Sequence, residues 1–167
     1  ADHYLGIIGF LRTLGMGGRE QPLTLYGPLS ARKVLDTAIH LGVERLAFPV
    51  DIQELKAGEE VKRGGYLVRA VRVDHRVNAL GYVLQEDTRP GRFDLNVAKA
   101  LGVPPGPAYG KLQKGETITL EDGRVVEPSQ VLGPSRRGRK LVISGDTRPC
   151  AAMIEAAKGA DVLIHEA

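Results

Sequence analysis

The sequence predicts one α/β domain in which strands and helices alternate along the chain. Three observations support this fold class. Short apolar runs typical of strands alternate with segments of helical period, an order found in layered α/β proteins. The 167 residues match the length of one ordinary domain, and 43% hydrophobic with 26% charged residues is the balance of a globular chain. Finally, 21 glycines and 10 prolines supply the turns that such a fold needs.

The first half of the chain predicts two helices and several strands. Apolar residues recur at helical spacing through Leu5, Ile8 and Leu11. Residues 66–73 alternate apolar with basic side chains, which is the clearest strand pattern in the sequence. The predicted elements are a helix over 4–14, a strand over 23–26, a helix through residue 41 capped by Ser30, a strand within 46–55, and a hairpin of strands over 66–73 and 81–85.

The pattern changes between residues 86 and 133. Five prolines and several glycines interrupt the periodicity there, around one short helix near 94–101 and a strand with its turn over 117–123. This segment predicts an excursion from the main core. After it, the pattern returns to a strand over 141–143, a helix over 151–158 and a buried strand over 161–164.

Composition excludes several classes of function. Cys150 is the only cysteine, so the sequence holds neither an internal disulfide nor a zinc site of paired thiolates, and any metal must sit on histidines and carboxylates. A phosphate-binding loop is disfavoured, because residues 106–112 have three rather than four residues between their glycines and end on Leu112 where Ser or Thr is required. The longest apolar runs fall far short of the roughly 20 residues of a membrane span, so we expect a cytoplasmic protein with no membrane partner. A net charge of +3 permits an anionic partner without demonstrating one.

Polar residues follow three of the predicted strands. They are Asp74–His75, Asp146 and His165, and Asp2–His3 precede the first helix. Ligands bind α/β sheets at strand ends, and His with Asp is the ligand set of a hydrolytic zinc centre without cysteines. Two simpler interpretations stay open, since a lone histidine at a strand end is more often a satisfied structural residue, and Asp146 could cap the next helix.

Several blocks of sequence carry a resemblance to a known family. They are Asp2-His3-Tyr4-Leu5-Gly6, Leu25-Tyr26-Gly27-Pro28, Asp74-His75 with Gly81-Tyr82, Pro105-Gly106-Pro107, Lys114-Gly115-Glu116, Leu120-Glu121-Asp122-Gly123-Arg124, Ser144-Gly145-Asp146-Thr147-Arg148 and His165-Glu166-Ala167. In this order, over nearly the whole chain, they resemble the ribonuclease Z family, the tRNA 3′-processing endonucleases of the metallo-β-lactamase superfamily. Each block alone is weak, whereas the ordered set is highly specific.

The resemblance implies a metallo-β-lactamase-like αββα sandwich, here partial, that holds two zinc ions. By motif, His75 would bind the first zinc, Asp2 and His3 the second, and Asp146 would bridge both. Asp2 would also act as general base, and His165 would assist proton transfer to the leaving oxygen.

The resemblance also implies a substrate and a way of holding it. The excursion over 86–133 resembles the family's protruding exosite arm, with Gly106 and Pro107 as its Gly-Pro motif. Three lysines are candidates for phosphate contacts, and ordinary solvated lysines are the equal alternative for each: Lys99, Lys111 and Lys114. The implied reaction removes the 3′ trailer of precursor tRNA near the discriminator base and leaves a 3′-hydroxyl on the tRNA and a 5′-phosphate on the trailer, in a homodimer. The alternatives are another hydrolase of the same fold, or a fragment that binds tRNA without cutting it.

The chain departs from the family pattern at both ends. The first two histidines of the H-x-H-x-D-H signature are missing before Ala1, as are the Thr that should follow Ala167 and a late histidine ligand. Neither zinc therefore has its full ligand set, and half a sandwich would leave apolar faces uncovered. We expect the central portion of a longer polypeptide, which alone is not a well-folded, active enzyme.

Overall fold

The computed structural model describes residues 2–42 and 45–166, with side chains from residue 4 onward. It divides into two compact units, which we call the sheet unit (Ala1–Gln85 and Lys140–Ala167) and the inserted unit (Glu86–Arg139). The described elements are, in chain order, α1 (Asp2–Met16), β1 (Leu23–Pro28), α2 (Ala31–Ile39), β2 (Val50–Leu55), β3 (Glu60–Arg63), β4 (Tyr66–Arg72), β5 (Leu80–Glu86), α3 (Leu95–Ala100), α4 (Pro107–Gln113), β6 (Ile118–Thr119), β7 (Val125–Val126), α5 (Pro128–Val131), β8 (Lys140–Ile143), α6 (Ala151–Ala157) and β9 (Val162–Ile164).

One layer of the sheet unit joins two helices to a pair of parallel strands. β1 lies parallel to β2, with Leu23 opposite Val50. On α2, Leu35 and Ile39 are one helical turn apart and both buried, so one face of the helix packs inward. The shared core contains the buried residues Leu11, Leu35, Ile39, Phe48 and Ile52. The predicted helix-strand-helix order is confirmed here.

The prediction that Ser30 caps α2 through its side chain is wrong. Ser30 occupies the N-cap position with a left-handed backbone, φ +73°, and its side chain makes no capping hydrogen bond to the described helix. Instead, the Arg32 N–H in the first turn of α2 donates to Glu54 Oε1 on β2, 2.9 Å away. A carboxylate from a neighbouring strand thus does the work that the sequence assigned to Ser30.

Ser30→Gly is expected to stabilise the chain by about 0.5–1 kcal/mol. A side chain in the left-handed region clashes with its own backbone, and glycine removes that clash, although it adds some freedom to the unfolded chain. Chemical denaturation measures the change. Ser30→Ala serves as the control, because alanine keeps the Cβ and should give no gain; equal stabilisation by both variants would contradict the explanation.

The second layer of the sheet unit is a five-stranded sheet in the order β3-β4-β5-β8-β9. β5 and β8 are antiparallel, and β8 and β9 are parallel. Helix α6 covers one face through Met153, which packs in a buried cluster with Val71, Val83 and Val142. The predicted strands over 66–73 and 81–85 are therefore confirmed as neighbours.

The prediction of a buried strand over 161–164 is wrong for this chain. β9 is the edge strand of the sheet, and Val162, Leu163 and Ile164 are 52%, 47% and 54% exposed. A continuous apolar run predicts cover on both faces, but the described residues provide a neighbour on one edge only. Across the described part of the chain, the helices are too short or too polar to cross a membrane.

The inserted unit has its own hydrophobic core. Helices α3, α4 and α5 and the small β6-β7 hairpin enclose the buried residues Ala98, Val103, Leu112, Ile118, Val126 and Val131. Asp94 caps α3 by accepting from the N–H groups of Asn96 and Val97. The predicted short helix near 94–101 is thus confirmed, and the segment is folded rather than irregular.

Two segments of the inserted unit, residues 86–93 and 132–139, run side by side as a backbone-paired base. Arg89 and Arg136 exchange hydrogen bonds of 2.8 and 2.9 Å, and Gly133 donates to the Arg92 carbonyl at 2.9 Å. Gly91 lies so close to the opposite segment that a Cβ there would be 1.8 Å from the Gly133 carbonyl oxygen. The unit extends to Arg139, beyond the range 86–133, because the return segment is needed to complete this pairing.

At the start of this base, Glu86 pairs with Arg139 at the end of the opposite segment. Its carboxylate accepts hydrogen bonds from the Arg139 guanidinium at 2.8 Å and from the Arg139 N–H at 3.0 Å, and it also pairs with Arg89. The Arg139 side chain first, and then its backbone N–H, lower the pKa of Glu86 from its ordinary 4.5 to about 2. The folded unit therefore favours the ionised carboxylate.

This pairing predicts an acid-sensitive step in stability. Because the folded pKa lies below the unfolded one, the pairing stabilises the protein above about pH 4.5 and is lost as the pH falls towards 2. Thermal melts from pH 6 to 2 should show a shallower acid decline for Glu86→Gln than for the wild type. Glu116→Gln, at an exposed glutamate of the same unit, should keep the wild-type slope; identical slopes for all three proteins would contradict the assignment.

Candidate functional site

The polar residues predicted at strand ends come together at one edge of the five-stranded sheet. Asp74–His75 follow β4, Asp146 follows β8 and His165 follows β9. β8 and β9 are parallel and end at the same edge, where the Ser144 N–H donates to the Ile164 carbonyl at 2.9 Å. Three separate segments of sequence thus form one site in the sheet unit.

The site brings the side chains of His75 and Asp146 close together. His75 Nε2 lies 4.0 Å from Asp146 Oδ2, and the two side chains are 33% and 30% exposed. The separation is longer than a hydrogen bond, and each side chain is half-buried but open to solvent. Both groups can therefore receive a ligand from outside.

Thr147 connects the segment that carries His75 to the segment that carries Asp146. Its hydroxyl accepts a hydrogen bond from the Asp74 N–H at 3.0 Å and donates to the Arg148 carbonyl at 2.8 Å. The Arg148 N–H in turn donates to the Asp74 carbonyl at 2.9 Å. Thr147 is 5% exposed, so these bonds are sheltered from water.

Glu166 connects the end of β9 to the same segment. Its Oε1 accepts a hydrogen bond from the Thr147 N–H at 2.5 Å. His165 Nδ1 lies 2.5 Å from the Glu166 carbonyl oxygen. Because a carbonyl oxygen only accepts, Nδ1 carries the proton, which leaves Nε2 as the second nitrogen available for chemistry.

The donor set tests whether a zinc ion fits here. With zinc bonds of about 2.0–2.1 Å, two neighbouring ligands of a tetrahedral ion lie about 3.3 Å apart, so His75 Nε2 and Asp146 Oδ2 need to approach by less than about 1 Å. These two groups fit adjacent coordination positions. The described residues contain no cluster of three or more His, Cys, Asp or Glu side chains that could hold a metal. The side chains of Asp2 and His3, the other predicted ligands, lie outside the described residues, and at these positions the structure shows only the start of α1.

The alternative role of Asp146 as a helix cap is excluded by the geometry. Helix α6 begins at Ala151 and its N-cap is Cys150. Asp146 lies four residues earlier, beside His75. Sequence reasoning assigned no role to Thr147 or Glu166, although both stand within the blocks Ser144–Arg148 and His165–Ala167 that carry the family resemblance.

In the inserted unit, the Gly-Pro pair begins helix α4. Gly106 has φ +114°, a conformation that L side chains rarely adopt, and Pro107 follows in the first turn, where its missing N–H costs no hydrogen bond. This pair therefore has a structural reason of its own. A part in binding substrate stays a prediction.

A cleft in the inserted unit brings together some of the residues predicted to bind substrate. It has a volume of about 640 Å³, and its lining includes Pro107, Lys111 and Arg124. Arg124 Nε donates to Asp122 Oδ2 at 2.8 Å, and the Arg124 N–H followed by its side chain lowers the pKa of Asp122. Lys111 and Arg124 bring two positive charges to this cleft, and the carboxylates of Glu121 and Asp122 in the same lining balance them. Sequence reasoning overlooked Arg124.

The other two predicted lysines lie near helix ends. Lys99 is in the last turn of α3 and Lys114 is the C-cap of α4, where positive charge also favours the helix dipole. Both are exposed. Their positions suit either a solvated lysine or a contact with phosphate.

Comparisons with known proteins find similar proteins along nearly the whole chain. No protein-family model matches it. A protein named Ribonuclease Z from Myxococcus xanthus is 68% identical over 166 residues, which are 99% of this chain and 54% of that protein. Proteins of the same name from Gemmatimonas aurantiaca and Methanosarcina acetivorans are 51% and 48% identical, again over 99% of this chain and 54% of theirs. The chain spans about half the length of the curated relatives it matches. Along 99% of its own length the chain is therefore similar to proteins named Ribonuclease Z, which confirms the resemblance carried by its motifs.

Proposed function

We propose that this chain carries part of the active site and the substrate-binding unit of a zinc-dependent endoribonuclease. The reaction removes the 3′ trailer of precursor tRNA near the discriminator base, leaving a 3′-hydroxyl on the tRNA and a 5′-phosphate on the trailer. The observation that carries the proposal is the similarity of 99% of the chain to proteins named Ribonuclease Z. The strand-end site of His75 and Asp146 supports it, since a phosphodiesterase needs ligands for cations at an open sheet edge.

The proposed fold is a metallo-β-lactamase-like αββα sandwich. Two layers of the sheet unit agree with it: α1 and α2 pack with β1 and β2, and α6 packs on the five-stranded sheet. Helices on sheets are what the outer layers of such a sandwich require.

Four residues would hold the metal in this proposal. His75 would bind the first zinc, Asp2 and His3 the second, and Asp146 would bridge both. Two zinc ions held there would supply a more acidic water as the nucleophile and positive charge beside the phosphate oxygens.

Proton transfer would fall to Asp2 and His165. Asp2 would take the proton of the attacking water as general base. His165 holds its Nδ1 proton on the Glu166 carbonyl, so a protonated ring could donate its Nε2 proton to the leaving oxygen. The hydrogen bond to Glu166 fixes the orientation of the ring for this step.

The inserted unit would hold the tRNA through phosphate contacts that read no base sequence. Gly106, Pro107, Lys99, Lys111 and Lys114 are the proposed contacts. The support for these contacts is the similarity to the curated relatives, since Glu121 and Asp122 balance the charges of Lys111 and Arg124 in the cleft. Each phosphate contact would add affinity that falls with rising salt. Assembly as a homodimer and residence in the cytoplasm belong to the same proposal.

The test incubates the purified polypeptide that carries this segment with precursor tRNA, with zinc and with a chelator, and maps the ends of any product. We expect zinc-dependent cleavage at the discriminator base with a 3′-hydroxyl on the tRNA. Binding of tRNA without cleavage in any condition would favour a noncatalytic tRNA-binding role. Hydrolysis of a small phosphodiester with no action on tRNA would favour another hydrolase of the same fold.

A further inference from the structure

We propose that Thr147 is a positioning residue that sets the separation of His75 and Asp146, and that Glu166 holds Thr147 in place for this task. The inference deepens the proposed function, and its consequence for metal binding rests on that function. It assigns a task to two side chains that would themselves touch neither metal nor substrate.

The hydroxyl of Thr147 makes one hydrogen bond to another segment and one within its own segment. It accepts from the Asp74 N–H at 3.0 Å, and Asp74 is the residue directly before His75. It donates to the Arg148 carbonyl at 2.8 Å, which fixes the rotation of its own side chain. Asp146 directly precedes Thr147, so one hydroxyl ties together the backbones that carry both candidate ligands.

The backbone reinforces this link. Arg148 and Asp74 form an isolated antiparallel bridge, with the Arg148 N–H 2.9 Å from the Asp74 carbonyl. Asp74 is thus bonded to the opposite segment twice, through its carbonyl to the Arg148 N–H and through its N–H to the Thr147 hydroxyl. Since Thr147 is 5% exposed, water cannot readily replace the hydroxyl if it is removed.

Glu166 extends the link to a third segment. Its carboxylate accepts from the Thr147 N–H at 2.5 Å, so the backbone between Asp146 and Thr147 is held from the side of β9. A hydrogen bond to a charged acceptor is stronger than one between neutral groups. The three strand ends that carry His75, Asp146 and His165 are therefore held together through Thr147.

The consequence for metal binding follows from the short range of coordination bonds. The separation of 4.0 Å between His75 Nε2 and Asp146 Oδ2 is within about 1 Å of that required by one ion, and a ligand pair already in place loses less freedom on binding. Partners behind the ligands of metal sites typically contribute about 10–100-fold to affinity. We therefore expect loss of the Thr147 hydroxyl to weaken zinc binding by that factor.

The experiment compares Thr147→Val, which removes the hydroxyl at nearly constant shape, with Thr147→Ser, which keeps it. Zinc affinity of the polypeptide that carries this segment is measured by competition with a chromophoric chelator, and exchange of the Asp74 amide is measured by NMR without metal. Thr147→Val should bind zinc about 10–100-fold more weakly and exchange the Asp74 amide faster. Thr147→Ser should stay within about threefold of wild type. Thr119→Val, at an exposed position of β6 in the inserted unit, is the control and should change neither quantity.

Two results would overturn the inference. One is a Thr147→Val chain with wild-type zinc affinity and wild-type exchange at Asp74. The other is a Thr147→Ser chain as impaired as Thr147→Val, which would assign the effect to packing rather than to the hydroxyl. If the wild-type protein binds no zinc, the zinc dependence in the proposed function is wrong. Exchange of the Asp74 amide, measured without metal, then still tests whether the Thr147 hydroxyl holds the two segments together.

A second variant covers the case in which Thr147→Val does not fold. Glu166→Ala removes only the carboxylate that accepts from the Thr147 N–H. It should speed exchange of the Thr147 amide and weaken zinc binding about tenfold. Wild-type values for both quantities would overturn the inference by this independent route.

Discussion

Asp146→Ala is expected to reduce cleavage of precursor tRNA by at least about 10³-fold while tRNA binding changes by less than about twofold. Asp146 is the proposed bridge between two cations, so its loss weakens both at once. Metal ions contribute several kcal/mol to a phosphoryl transition state, which corresponds to this rate factor. Binding should survive because the proposed tRNA contacts lie in the inserted unit, a separate compact part of the chain.

Single-turnover cleavage and filter binding, each at fixed salt and zinc, measure the two effects. Asp36→Ala is a suitable control, because Asp36 is an exposed residue of α2 outside the site. A melting temperature equal to wild type shows that the variant is folded. Retained turnover by Asp146→Ala would refute the metal assignment, and parallel loss of cleavage and binding would make Asp146 a structural residue.

Gly91→Ala is expected to destabilise the inserted unit by about 3 kcal/mol or more, at the upper end of the cost of overpacking. An added Cβ would lie 1.8 Å from the Gly133 carbonyl oxygen and 2.8 Å from that of Pro134. Both are backbone atoms of the paired segment, so no side chain can swing aside. The paired base would have to separate, and tRNA binding should weaken with it.

The N–H groups of Arg89 and Arg136 each donate to the other residue's carbonyl across the base. Hydrogen exchange of these two amides therefore measures whether the base has separated. Gly133→Ala is a closely matched control, since its Cβ would meet only ordinary contacts, the nearest at 3.7 Å from the Arg92 carbonyl oxygen. Hydrolysis of a small phosphodiester should be spared in Gly91→Ala. Equal protection of these amides in both variants would mean that the paired base accommodates a Cβ at residue 91. Loss of both tRNA binding and small-substrate hydrolysis would mean that the sheet unit depends on the paired base.

Much of the local structure could be predicted from sequence because its causes are local. The alternation over 66–73 and the helical spacing of Leu5, Ile8 and Leu11 each reflect which face of a short segment is apolar. The excursion that begins at Glu86 was visible because prolines and glycines interrupt periodicity regardless of what packs against them. Candidate residues such as His75 and Asp146 stood out because they follow apolar strands, where side chains meet solvent.

The sequence alone predicted most of the elements in their order, but not β3, α4, β7 or α5. It also located the inserted segment, the candidate ligands and the family resemblance. Only the tertiary structure decided which partners those residues find. Asp74 and Thr147 are 73 positions apart, and a hydrogen bond over that distance leaves no trace in a periodic pattern. The same holds for Glu54, which replaces Ser30 at the start of α2, and for the exposure of β9, which depends on what lies beside a strand. Hydrophobic period records the environment of one segment, whereas a site made of several strand ends exists only once the sheet has brought them to one edge.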